Sequence, residues 1–110
     1  MSDDVETTTF VLRLKRGHEA EYKRRHDQIW PEMKQALLGQ GILHYEIYLE
    51  EGSGLLFAYM QRRKGVPRDM DHPVMVRWRH HMADILVQEG DRPWRRDLPL
   101  MFRLEAGSAD

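Results

Sequence analysis

Alternation of apolar and polar positions predicts four β-strands in this chain. In the first strand Phe10, Leu12 and Leu14 occupy every second position, which is the repeat of a strand with one buried face. The glycines of segment 51–54 predict a hairpin turn between the second and third strands. The four predicted strands cover residues 9–14, 42–49, 55–61 and 98–104.

Composition and spacing predict three helices between these strands. Residues 18–28 are rich in helix-favouring Glu, Ala, Lys and Arg. Pro31 separates them from a second helix at 31–38, because the residue before a proline avoids helical backbone angles. A third helix is expected to begin after Asp71 as its cap and to end at Gly90. Its apolar stripe at spacings of three and four consists of Val74, Met75, Trp78, Met82, Ile85 and Leu86.

The order of these elements predicts an α+β fold of the ferredoxin-like βαββαβ type. Such a fold has a four-stranded antiparallel sheet with helices on one face. Residues 9–104 are expected to form one domain between flexible segments at 1–8 and 105–110. The run 55–60 is apolar at every position, so both faces of its strand require burial. We therefore expect a homodimer with facing sheets; the alternative is a monomer whose loops and tails cover that face.

Charge and composition narrow the classes of partner. The 110 residues contain 17 Lys and Arg against 18 Asp and Glu, with a net charge of −1. Without a basic excess, no nucleic-acid partner is expected. The chain has no cysteine, which excludes disulfides and thiolate chemistry. The N terminus lacks a signal-peptide pattern and no apolar run approaches about 20 residues, so we predict a cytoplasmic protein without a membrane partner.

Three rings follow one another at helical spacing just before Pro31. Tyr22, His26 and Trp30 are four residues apart, and such amphipathic rings can stack on a sugar while hydrogen-bonding its hydroxyls. An imidazole titrates near pH ~6.5, so His26 is a candidate acid/base. From the residues alone, a structural histidine satisfied by a carboxylate is the stronger alternative.

Other candidate residues carry weaker signals. Tyr45 and Tyr48 are three apart on a predicted strand, so they point to opposite faces and only one can line a cavity on the sheet. Trp78, in the middle of the apolar stripe, is by itself expected to be core. A metal ligand set is not predicted, since His80 and Asp84 have usable spacing but no third ligand follows at a recognisable distance.

Several motifs are distributed over about residues 10–104. They are Glu21-Tyr22-x-Arg24-Arg25-His26-x-x-Ile29-Trp30-Pro31-Glu32, Tyr45-x-Ile47-Tyr48-Leu49, Leu55-Leu56-Phe57, Asp71-His72-Pro73-Val74-Met75, Arg77-Trp78 and His81-Met82-Ala83-Asp84-Ile85. The first is the longest and the most specific, because it combines aromatic, basic and imidazole side chains over twelve positions. Together these motifs resemble those of the L-rhamnose mutarotases.

The resemblance implies a dimeric ferredoxin-like α/β barrel that interconverts the α and β anomers of L-rhamnose or a related deoxyhexose. It implies no cofactor and no metal, since anomer exchange contains no redox step. His26 matches the family's proton donor, and Tyr22, Tyr45 and Trp78 match its sugar-binding positions. We add Trp30 and Arg79 as expected contacts of the monosaccharide.

The chain also departs from the family pattern. The family usually has two successive tryptophans where this chain has Trp78-Arg79, which replaces a stacking surface with a cation. Segment 88–94 differs as well, and its Trp94 is a candidate for the missing aromatic wall. Two other functions remain open: a cofactor-independent monooxygenase of the dimeric α/β-barrel type, and a sugar-binding module without catalysis.

Overall fold

The computed structural model describes residues 4–107, which form six strands and three helices. In chain order they are β1 (Val5–Arg13), α1 (Glu19–Asp27), α2 (Pro31–Gly39), β2 (Ile42–Glu50), β3 (Leu55–Arg63), α3 (Pro73–Met82), β4 (Gln88–Glu89), β5 (Arg92–Pro93) and β6 (Arg95–Asp97).

Four of the strands form an antiparallel sheet in the order β2-β3-β1-β6, and β4 pairs with β5 in a separate short hairpin. This strand order confirms the ferredoxin-like α+β prediction. In the centre of the sheet Phe10 of β1 lies opposite Ala58 of β3. Tyr45 of β2 lies opposite Met60 of β3. These residues share the sheet face that is covered by the helices.

The core between sheet and helices consists of two apolar clusters. The larger cluster brings together segments that are far apart in the sequence, since Leu14 from the end of β1 packs with Leu56 of β3 and Met82 of α3. The smaller cluster, with Met33 and Met75, holds α2 against α3. Trp78 contacts both clusters and is half-buried. The two clusters fix the three helices around one side of the sheet.

Two predicted boundaries, the start of β1 and the start of α3, need correction. Strand β1 begins at Val5 rather than at residue 9, because Val5 to Thr8 pair with Met60 to Arg63 of β3. Residues 5–8 are therefore not a loose end, while 1–3 and 108–110 lie outside the described residues. The cap of α3 is also different: His72 Nδ1, not the Asp71 carboxylate, accepts a hydrogen bond from the Val74 N–H at 3.2 Å.

Helix α3 ends at Met82, well before Gly90. The residues that follow exchange helical hydrogen bonds for pairing with the end of β1. The Lys15 N–H donates to the Ile85 carbonyl, and the Val87 N–H donates to the Arg13 carbonyl. Ile85 remains a core residue, as the apolar stripe predicted, but it lies in the turn after the helix, where its N–H donates to the Met82 carbonyl.

The prediction of a last strand at 98–104 is wrong. Only Arg95–Asp97 pairs with β1, and after the Leu98 N–H bonds to the Thr9 carbonyl the chain leaves the sheet. Residues 98–104 have the apolar alternation of a strand but no strand partner among residues 4–107. The exposed fractions are 66% for Leu100, 78% for Phe102 and 84% for Leu104.

None of the helices in the described range combines the length and the apolar character needed to cross a bilayer.

Candidate active site

Helix α1 presents Tyr22 and His26 on one face, as their spacing of four residues requires. Their rings are stacked, with centroids 4.3 Å apart. From α3, the Trp78 indole meets His26 edge-on with centroids 5.4 Å apart. The imidazole is therefore held between two rings that come from different helices, and its orientation depends on how α1 packs against α3.

The hydrogen bonding of His26 determines which of its nitrogens can exchange a proton. Nδ1 lies 3.1 Å from the carbonyl oxygen of Tyr22, one turn earlier in α1. A carbonyl only accepts hydrogen bonds, so Nδ1 carries the hydrogen and Nε2 is left to accept or donate a proton. Burial lowers the pKa of His26 below its ordinary value, against the opposing effects of that carbonyl and the Asp27 charge. The resting imidazole is therefore neutral at pH 7.

His26 lies where a cavity and a cleft meet. The cavity, of about 200 Å³, lies between the helices and the sheet and is lined by Tyr22, His26, Tyr45, Trp78 and Arg79 among others. A wider cleft of about 680 Å³ runs between α1 and β2 and shares Tyr22, His26 and Tyr45 with the cavity. The cavity is smaller than the ~300–1,000 Å³ of sites for drug-sized ligands, so its size suits one small molecule.

The phenols of Tyr22 and Tyr45 stay protonated at neutral pH. Burial raises the pKa of Tyr45 to about 12, although the Arg95 charge acts in the opposite direction. Burial also raises the pKa of Tyr22, and the nearby Tyr45 adds to that effect. Neither phenol is then a base, and each can hold a hydroxyl group by hydrogen bonding.

Two predicted contact residues lie outside the cavity lining. Trp30 packs edge-on against Trp78 at 5.1 Å and against His81 at 5.3 Å, so it supports the Trp78 indole from behind. Trp94 lies between the guanidinium groups of Arg13 and Arg96 and does not supply the missing aromatic wall. Its neighbours Pro93 and Arg95 line the cavity instead.

The cavity lining contains residues that the sequence interpretation did not identify. Arg62, Arg68 and Arg95 are among them, together with a set of methionines. The alternation of side chains along a strand could have identified two of these residues, because Met60 and Arg62 share the face of Ala58 on β3. The methionines are Met33, Met60, Met70, Met75 and Met82.

Arg25 fixes α1 against the end of α3. Its guanidinium donates to the His81 carbonyl at 2.6 Å and to the Asp84 carboxylate at 2.9 Å. Within α1 it also pairs with Glu21 at 2.7 Å. The side chain is only 12% exposed, so Arg25 is not the solvated surface residue that its place in a charged helix suggests.

No group of three or more potential metal ligands occurs within residues 4–107. His80 is exposed, the His81 ring packs against Trp30 and Trp78, and Asp84 pairs with Arg25.

Comparison with known sequences identifies the family. A family model described as L-rhamnose mutarotase matches residues 7–104. An L-rhamnose mutarotase from Brucella anthropi is 42% identical over 102 residues, which cover 90% of this chain and 96% of the relative. Another, from Flavobacterium johnsoniae, is 40% identical over 99 residues, covering 87% and 92% respectively.

Comparison with solved structures agrees. The crystal structure of an L-rhamnose mutarotase from Formosa agariphila matches with a TM-score of 0.81 and 34% identity, over 91% of this chain and 99% of that one. A putative antibiotic biosynthesis monooxygenase from Nitrosomonas europaea matches with a TM-score of 0.58 but only 12% identity, over 89% of each chain, which shows a shared fold alone. On its sequence motifs, its fold and these comparisons, the chain belongs to the L-rhamnose mutarotase family.

Proposed function

We propose that this protein is a mutarotase, an isomerase that interconverts the α and β anomers of L-rhamnose or a related 6-deoxyhexose. The observation that carries the proposal is the environment of His26. Its Nε2 is not used by the helix, and its ring lines a cavity whose walls are indole, phenol and methionine side chains. Relatives that cover nearly the same residues are named for this activity.

In the proposed reaction, the imidazolium form of His26, which carries a proton on Nε2 as well as on Nδ1, donates its Nε2 proton to the ring oxygen of the sugar. The bond between that oxygen and C1 breaks while the anomeric hydroxyl loses its proton to an acceptor, which leaves an open-chain aldehyde. Rotation about the C1–C2 bond turns the other face of the carbonyl toward the C5 hydroxyl. Ring closure then returns one proton to His26 and places one on the new anomeric oxygen, so atoms and charges balance without oxidation or reduction.

The lowered pKa of His26 acts on the donor role in two ways, because it reduces the fraction of imidazolium at pH 7 and makes each imidazolium a stronger acid. A ring oxygen is a weak base, and an imidazolium of lower pKa is a stronger acid toward it. Positioned acid–base catalysis of this kind contributes about 10²–10⁴-fold in rate. The acceptor for the anomeric proton is not a tyrosinate, because the pKa values of Tyr22 and Tyr45 are raised. A water molecule held by these phenols meets the requirement.

The other predicted contacts act by binding the sugar. Tyr22 and Tyr45 offer hydroxyl groups to the sugar, and Trp78 offers an apolar ring face or edge to its C–H groups. Trp30 acts through Trp78, against which it packs, and is a positioning residue.

Removal of the imidazole tests the proposal. We expect His26→Gln to lower the enzymatic rate of anomer exchange on L-rhamnose by about 10²-fold or more, measured by saturation-transfer NMR above the spontaneous rate. His80→Gln, an exposed histidine of α3 outside the cavity lining, is the matched control and should keep the parent rate. Normal exchange in His26→Gln would contradict the assignment, and sugar binding without exchange in the parent protein would indicate a non-catalytic module.

We also propose a homodimer that works in the cytoplasm. The sheet face away from the helices exposes Tyr48 at 59% and Phe57 at 36%. The apolar arm 98–104 is exposed on the same chain. A second copy of this chain, related by a two-fold axis, can cover both the exposed sheet face and the exposed arm. The interface of such a dimer is formed by the same surface of each copy.

A further inference from the structure

Three arginines surround one end of the cavity: Arg62 from β3, Arg68 from the connector after it, and Arg79 from α3. We call this group the arginine end. Along β3, Arg62 is two residues beyond Met60, which lies opposite Tyr45. Alternate residues of a strand are roughly 7 Å apart on the same face, so the arginine end is about one sugar ring away from Tyr45.

The arginine end has more positive than negative charge. The Glu6 carboxylate is shared, at 3.4 Å from Arg62 and 3.1 Å from Arg68. Arg79 donates from Nη1 to the Met70 carbonyl at 2.9 Å and has no carboxylate partner among residues 4–107. The Glu6 carboxylate thus pairs with two of the three guanidinium groups, and the third bonds to a backbone carbonyl. Within the described residues the cavity lining itself includes no Asp or Glu.

Arg62 adds an unsatisfied donor to this excess of charge. The residue is 5% exposed, and its Nε–H is buried without a hydrogen-bond partner in the described part of the chain. Its other nitrogens are occupied by Glu6 and by the Val66 carbonyl. A buried unpaired donor on a charged group is costly, and a shift of the Arg62 side chain that brought this donor to an acceptor in the cavity would remove that cost.

Arg95, a fourth arginine in the cavity lining, does not contribute to the excess. Its Nε pairs with the Asp97 carboxylate at 2.9 Å, and its guanidinium lies over the Phe10 ring at 3.8 Å. The uncompensated positive charge is thus confined to the arginine end.

We infer that the cavity takes a hexose with a carboxylate at C6, a hexuronate, in preference to the uncharged 6-deoxy counterpart; the inference rests on the proposed anomer exchange. In a pyranose, C6 is attached to C5, which is bonded to the ring oxygen. A sugar whose ring oxygen meets His26 therefore carries its C6 group close by. Arg79 and His26 line the same cavity, and a guanidinium binds a carboxylate through two parallel hydrogen bonds.

Matched sugar pairs test the inference. L-rhamnose is compared with L-mannuronate, and D-fucose with D-galacturonate, because each pair differs only in whether C6 is a methyl group or a carboxylate. Enzymatic anomer exchange is followed by saturation-transfer NMR at pH 7, above the spontaneous rate of each sugar. We expect kcat/KM to be about tenfold or more higher for the carboxylate of at least one pair, as charged hydrogen bonds predict.

Variants then connect that preference to the arginine end. Arg79→Gln should lower kcat/KM for the preferred hexuronate by about tenfold more than for its deoxy counterpart, because only the hexuronate loses a charged hydrogen bond. Arg63→Gln is the matched control, since Arg63 is exposed on β3 next to Arg62 and does not line the cavity. It should leave both sugars unchanged.

The outcomes separate this inference from the proposed function. If deoxyhexoses exchange and hexuronates exchange more slowly or not at all, the preference for a carboxylate is wrong and the mutarotase proposal stands. If the protein accelerates anomer exchange for no sugar in the panel, the mutarotase proposal is wrong. The inference, which rests on that proposal, is then wrong as well. Equal losses on both members of a pair in Arg79→Gln would also overturn the inference, because they would indicate a structural role for Arg79.

Discussion

At the scale of single residues, the imidazole of His26 is positioned by two contacts, one with Tyr22 in its own helix and one with Trp78 of α3. The first relation follows from helical geometry, because residues four apart share a face. The second depends on how α1 and α3 pack, and no local pattern encodes the 5.4 Å contact between the two rings. The burial that lowers the pKa of His26 has the same tertiary origin.

The direction of that pKa shift gives a prediction for activity. If His26 donates the first proton, the reacting form is the imidazolium, and its fraction falls as the pH rises through the lowered pKa. Enzymatic kcat/KM for L-rhamnose should therefore fall between pH 6 and pH 8, by up to about tenfold per pH unit once the pH exceeds the pKa. NMR exchange rates across this interval, corrected for spontaneous exchange, measure the effect. A rate that rises over the same interval would show that the neutral imidazole reacts first, as a base.

At the scale of elements, the most informative contact is the one that Arg25 makes between α1 and the end of α3. A pair of arginines in a helix of mixed charge is most often a solvated face. In the structure only Arg24 fits that description, with pairs to Glu21 and Gln28 inside the same helix. Arg25 joins two segments more than fifty residues apart and so holds His26 beside Trp78.

We therefore expect Arg25→Met to lower the thermal stability of the protein while Arg24→Met leaves it nearly unchanged. Loss of the donor to the His81 carbonyl and of the Asp84 pair should reduce Tm by about 4–8 °C. Calorimetry at pH 7 measures both variants against the parent. Equal Tm values for Arg24→Met and Arg25→Met would contradict this role of Arg25.

At the scale of the whole molecule, the arm 98–104 shows where a correct pattern led to a wrong element. The segment has the apolar alternation of a strand, but β6 already ends at Asp97 and no strand of residues 4–107 pairs with the arm. Strand formation requires a hydrogen-bonding partner, and a sequence pattern cannot say which chain supplies it. A second copy of this chain is the partner that we propose.

The proposed dimer makes a prediction about mass in solution. Light scattering should give twice the chain mass of 13.1 kDa for the parent protein. Phe102→Glu should shift the population to the monomer, because it places a charge on an apolar side chain that is 78% exposed in the single chain. Arg103→Gln, at the next position of the same arm, is the matched control and should remain dimeric. A monomeric parent protein would overturn the proposal.

The sequence by itself determined the order of the elements from β1 to α3, the strand-face assignment of Tyr45 and Tyr48, and the shared helical face of Tyr22 and His26. These features depend on local periodicity, which a single chain records directly. Only the tertiary structure decided where α3 ends, which side chains line the cavity, and that Arg62, Arg68 and Arg79 come from three separate segments to one place. Such features arise from competition among contacts distant in sequence, and that competition is resolved only when the chain packs.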